Sequence, residues 1–89
     1  SILGVAEGIE TALSAARMHD VPVWPTLNAG LLAKWEPPHT VDKVVIFADL
    51  DVAGMLAAAK LMERLQERVR MEIRPPTKGE DWNDSLRAA

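Results

Sequence analysis

The apolar run Val44-Val45-Ile46-Phe47-Ala48 ends on two aspartates one residue apart, Asp49 and Asp51, with Gly54 close behind. Consecutive apolar residues rich in β-branched and aromatic side chains read as a strand buried on both faces, the habit of parallel sheets covered by helices on each side. Such a strand stops at the rim where α/β folds keep their ligands. Two carboxylates placed there repel one another unless a proton or a cation separates them. A divalent metal is the simplest resolution.

The rest of the chain alternates in the same way. Ile2-Leu3-Gly4-Val5-Ala6 reads as a first strand, and a domain that opens on a core strand is expected to have been cut from a longer polypeptide. After Glu7-Gly8, the spacing of Ile9, Ala12, Leu13 and Ala16 predicts a helix to about His19 with those residues on its buried face. Asp20-Val21-Pro22 breaks it, and Val23-Trp24-Pro25-Thr26 reads as a short second strand. Asn28 suits the cap of a short helix carrying Leu31, Leu32 and Trp35, which Glu36-Pro37-Pro38-His39 ends. Beyond the third strand, a long helix from about Val52 to Arg70 is expected to bury Met55, Ala58, Ala59, Met62, Leu65 and Val69. Met71-Glu72-Ile73-Arg74 reads as the fourth strand, and 78–86 as a loop entering a last helix. Strands and helices in strict alternation predict an α/β sandwich around a mostly parallel sheet, with no internal repeat or linker.

Composition narrows the function classes. At 89 residues the chain is one small domain, and 48% apolar with 26% charged residues suits a globular protein rather than a disordered tail. No apolar stretch approaches membrane length. Without cysteine there is no disulfide framework and no thiolate metal site, which agrees with a cytoplasmic setting. A net charge of −3 argues against gripping nucleic acid by phosphate neutralisation alone, so such contact would need metal ions or another domain.

In a parallel sheet the carboxyl ends of all strands share one rim. Glu7 follows the first strand, Asp49 and Asp51 the third, and Asp81 with Asp84 lies beyond the fourth. Oxygen ligands without histidine or cysteine suit a hard cation such as Mg²⁺ and make zinc a poor fit.

Glu7-Gly8 after one hydrophobic strand, Asp49-Leu50-Asp51-Val52-Ala53-Gly54 after another, and the late Lys78-Gly79-Glu80-Asp81-Trp82-Asn83-Asp84 together resemble the topoisomerase-primase (Toprim) domain, in its phage and plasmid primase or primase-helicase form. The resemblance covers nearly the whole chain, making 1–89 a single Toprim-like domain. It implies a small Toprim or Rossmann-like α/β fold of about four mostly parallel strands, with helices on both faces. It also implies Mg²⁺, or Mn²⁺ in its place, held by Asp49 and Asp51 with Asp81 in a secondary metal role. Glu7 is then a general acid or base in nucleotidyl transfer or phosphodiester cleavage, or a further metal ligand. By the same analogy the chain would serve RNA primer synthesis on a DNA template within a DNA primase-like replication protein, alongside a zinc-binding or helicase domain.

Each residue also has a plainer reading. Glu7 or one of the two aspartates could cap a helix, although capping needs only one of the pair. Gly8 and Gly54 let backbone approach a phosphate or metal at a helix N-terminus, while Gly54 could equally mark close helix-to-strand packing. Lys78 could neutralise phosphate or simply be solvated. Lys60, Arg64 and Arg68, interleaved with Glu63 and Glu67, read as a salt-bridged wet face. Trp24 and Trp35 are expected in or against the core, and His19 and His39 have no catalytic partner. Two other functions stay open: a haloacid-dehalogenase-like phosphatase with Asp49 as nucleophile, Asp51 as acid and Lys78 in support, which leaves Glu7 idle, and a non-catalytic Toprim-like module binding nucleic acid or a partner.

Overall fold

The computed structural model describes residues 1–49 and 51–74. Seven elements alternate: β1 (Ile2–Ala6), α1 (Ile9–His19), β2 (Val23–Pro25), α2 (Ala29–Lys34), β3 (Lys43–Phe47), α3 (Val52–Leu65) and β4 (Arg70–Arg74). The four strands form one sheet in the order β2-β1-β3-β4, and every neighbouring pair is parallel. Parallel neighbours cannot be joined by hairpins, so each connection must cross over, and a helix lies in each crossover. The chain steps outward from β1 to β2, then returns past β1 to form β3. Strand order therefore reverses between β1 and β3, which opens a crevice at their carboxyl ends.

The alternation of β3 builds two cores. Val44 and Ile46 join Val5, Leu32 of α2, and Ala57, Ala58, Leu61 and Leu65 of α3 on one face. Val45 and Phe47 join Ala6 and the α1 residues Ala12 and Ala15 on the other. The strand is thus buried on both sides, as its apolar run predicts. Gly4 is the close approach that permits this: a Cβ there would stand 2.6 Å from Phe47 Cε2 and 2.8 Å from Val23 Cγ2.

Capping chemistry sets the helix starts. Asn28 Oδ1 accepts the Leu31 N–H at 2.9 Å, and Asp51 Oδ1 accepts the Gly54 N–H at 2.6 Å. Gly8 caps α1 without a side-chain bond.

Several expectations need correction. In α1 the buried residues are Thr11, Ala12, Ser14 and Ala15, whereas Ile9 and Leu13 are exposed. Small side chains let the helix lie close to the sheet, and the larger apolar ones are turned to its flank. The buried stripe of α3 is likewise Gly54, Ala57, Ala58, Leu61 and Leu65, with Met55 and Ala59 exposed and Met62 and Val69 half-buried. That helix ends at Leu65 rather than near Arg70, because Arg70 already pairs with Lys43 in the sheet. Arg64 and Arg68 bind Glu36 from across the α2–α3 interface, at 2.7 and 2.9 Å, in place of their helix neighbours Glu63 and Glu67. Arg64 also donates to the carbonyls of Ala33 and Trp35, satisfying the end of α2. Trp35 is buried but Trp24 is half exposed, its ring centroid 6.4 Å from that of Trp35. His19 takes structural contacts, its Nδ1 lying 2.9 Å from Arg74 Nη1 and its ring packing on Phe47. No described helix is long and apolar enough to cross a membrane.

Candidate functional site

The register of β1 with β3 pairs Ala6 with Phe47, so the residues that follow each strand emerge side by side at the crevice. Glu7 is the first residue beyond β1. Its backbone is held from the β2 side, where its carbonyl accepts the Leu27 N–H at 2.6 Å and the preceding Ala6 carbonyl accepts the Thr26 N–H at 2.8 Å. Its carboxylate is half-buried, and Oε1 is shielded from solvent with no hydrogen-bond partner among the described residues.

Asp49 and Asp51 emerge from β3 in different directions. Asp49 Oδ1 accepts a hydrogen bond from the Thr11 hydroxyl of α1 at 3.2 Å, drawing that carboxylate toward one face of the sheet. Asp51 caps α3 on the other face through Oδ1. One of the pair is therefore a cap, and the other is not.

Gly54 shows how closely these groups gather. A Cβ on it would lie 3.0 Å from Asp51 Oδ1, 3.2 Å from the Asp49 carbonyl oxygen and 3.6 Å from Glu7 Oε1. What presses on Gly54 is a set of oxygens, and the Asp49 carbonyl among them, on the segment leaving β3, is also the close approach of helix to strand that was its plainer reading. Gly8 differs, since a Cβ there would meet nothing within 4 Å and its φ of −104° suits any residue. Among the described residues, no contact requires glycine at position 8.

The electrostatics follow from this crowding. Burial, and then the negative charges of Asp51 and Asp49, push the Glu7 carboxyl above its ordinary value. An orphaned carboxylate oxygen, a cleft that a methyl group would fill and an all-oxygen donor set fit a hard cation. Among the described residues, no three acidic side chains already stand close enough to enclose a metal by themselves. This is compatible with Mg²⁺, which commonly takes one or two carboxylates and completes its shell with water and phosphate. The structure thus brings Glu7, Asp49, Asp51 and Gly54 to one crevice and leaves Gly8 at its open side. Asp81 and Lys78 lie outside the described residues.

Two features escape a reading of the sequence. The reversal of strand order between β1 and β3 depends on which strands pair, and the alternation of elements does not reveal that. Thr11 shows itself only through its position four residues after Glu7, on the helix that leaves the same rim.

The pattern of the Toprim domain family matches residues 2–89. Among solved structures, a DNA primase domain from Pseudomonas aeruginosa superposes with a TM-score of 0.71 at 21% sequence identity, over 99% of this chain and 29% of that one. A search of curated protein sequences finds no match. The chain thus shares its fold with a segment of a bacterial primase domain while spanning less than a third of that domain's length. Its family pattern runs from the first strand through the final residue, and on that ground the chain belongs to the Toprim domain family.

Proposed function

We propose that this chain is the Mg²⁺-dependent catalytic Toprim module of a DNA primase-like replication protein, one domain of a longer polypeptide that synthesises RNA primers. The observation that carries the reading is the meeting of Glu7 Oε1, Asp51 Oδ1 and the Asp49 carbonyl oxygen within 3.6 Å of one point beside Gly54. The family membership and the fold shared with a primase domain support the choice of reaction class.

Asp49 and Asp51 would hold the cation, with Glu7 beside them. Bound there, Mg²⁺ would offset charge on a transferring phosphoryl group and orient the attacking oxygen. The protein's own part is to present the carboxylates at the rim of a rigid sheet and to keep Glu7 ready to exchange a proton. In the metal-free chain, burial and the two aspartates raise the Glu7 carboxyl above its usual range so that it holds a proton more readily, which suits general acid or base work on a nucleotide hydroxyl. DNA and nucleotides are then the partners, reached with other domains because a net charge of −3 argues against gripping nucleic acid by phosphate neutralisation alone.

The phosphatase reading assigns Glu7 no task, although Glu7 lies with the two aspartates. Primer synthesis by the parent polypeptide on single-stranded template, with ribonucleotides and Mg²⁺, tests the proposal. Glu7→Gln is expected to lower the rate by about 100-fold or more, the ordinary worth of a general acid or base. Undiminished synthesis by that variant would refute the assignment. Mg²⁺-dependent hydrolysis of small phosphate esters that survives Glu7→Gln would move the chain to the phosphatase class.

A further inference from the structure

We infer that Thr11 is the positioning residue for Asp49, tying α1 to the segment after β3 so that the carboxylate is held ready for the cation; the inference rests on the metal reading above. Thr11 is only 7% exposed and sits beside Ala12 in a helix face that is otherwise made of small side chains. A hydroxyl in such a place is costly unless bonded. Its partner is Asp49 Oδ1 at 3.2 Å, a group thirty-eight positions away in the chain, on the other side of the crevice.

The geometry suits a guide. Threonine is restricted about χ1, and Thr11, in the first turn of α1, is buried against the sheet, so the donor is held in place relative to it. An aspartate side chain by contrast can exchange among three staggered χ1 wells and turns easily about its terminal torsion. A hydrogen bond to one oxygen reduces that freedom and sets which way the carboxylate faces. At 3.2 Å the bond is longer than the best hydroxyl-to-oxygen contacts, so its effect is on orientation more than on binding strength. Groups that orient metal ligands in this way commonly change metal affinity by about 10- to 100-fold, and the lower end applies here.

Thr11→Val keeps the shape and removes the hydroxyl, while Thr11→Ser keeps the hydroxyl. NMR couplings about χ1 of Asp49 in the metal-free 89-residue chain, and Mg²⁺ affinity by calorimetry, read the effect in each variant. Thr11→Val is expected to average the Asp49 rotamer and to weaken Mg²⁺ binding about tenfold, with Thr11→Ser restoring both. If Thr11→Val does not fold, Thr11→Ala serves in its place with the same expectation. Asp49 couplings that stay those of a single rotamer without the hydroxyl would overturn the inference. Failure of the unsubstituted chain to bind Mg²⁺ would instead sink the metal reading, and the couplings would still decide the role of Thr11.

Discussion

Replacing Gly54 with alanine sets two well-known effects against each other. Gly54 lies inside α3 with no left-handed backbone to protect, so alanine would ordinarily stabilise the helix by about 1 kcal/mol. In a domain of this size that gain would raise Tm by roughly 4–8 °C. The added methyl, however, would stand 3.0 Å from Asp51 Oδ1 and 3.2 Å from the Asp49 carbonyl, both too close. Both neighbours must give way slightly, and the Asp51 side chain does so more easily than the backbone carbonyl, giving up its 2.6 Å bond to the Gly54 N–H. Loss of a helix cap costs about 1 kcal/mol, which cancels the gain. Thermal unfolding without metal should therefore leave Tm almost unchanged, while Mg²⁺ affinity falls because one carboxylate has left the cleft. A Tm higher by about 4–8 °C together with unaltered Mg²⁺ binding would refute the reasoning, since it would mean that the cleft has room for the methyl.

Glu7→Gln should stabilise the metal-free chain at pH 7. The Glu7 carboxyl is raised by burial and by Asp51 and Asp49, so its negative charge opposes folding as pH climbs through the raised value, and the opposition is absent below its unfolded value of 4.5. The gain in Tm should accordingly vanish below pH 4.5, and a gain independent of pH would count against the crowding of charges. Gly4→Ala should destabilise by about 1–3 kcal/mol in urea unfolding, because its methyl would overlap the buried Phe47 ring and Val23; an unchanged midpoint would show that β1 and β3 do not pack as described. Arg64→Ala should cost about 1–2 kcal/mol by the same assay, leaving the α2 carbonyls of Ala33 and Trp35 without their donor, whereas Arg68→Ala, which loses only an exposed pair with Glu36, should cost under about 1 kcal/mol.

Periodicity and punctuation made the order of elements legible, and the residues after each strand announced the site. Val44 through Phe47 read as a strand covered on both sides and Asn28 as the cap of its helix, and both are so in the structure. Less legible was which face each helix buries. The hydrophobic spacing of Ile9 and Leu13 pointed to a core face, but the sheet around Phe47 demands small neighbours, and Ala12, Ser14 and Ala15 meet that demand. Close packing selects on size as well as on polarity, and a hydrophobic pattern carries only the latter. The end of α3 was hidden for a related reason: Glu63, Arg64, Glu67 and Arg68 continue a helical charge pattern, but Arg64 and Arg68 spend their charge on Glu36 of another segment, and strand pairing claims Arg70. For the site, proximity of Glu7 to the aspartates followed from parallel topology. The division of labour between Asp51 as cap and Asp49 as partner of Thr11 needed coordinates.

Relaxation enhancement by Mn²⁺, followed residue by residue in an NMR spectrum, tests most directly whether Glu7, Asp49 and Asp51 share a cation at the crevice between β1 and β3. Substoichiometric Mn²⁺ should broaden Glu7, Gly8, Asp49, Asp51 and Gly54 first, while Asp42 and Glu67, beside the opening at the opposite end of the strands, stay sharp. Broadening centred on Asp42 and Glu67, or spread evenly over the acidic surface, would contradict the account.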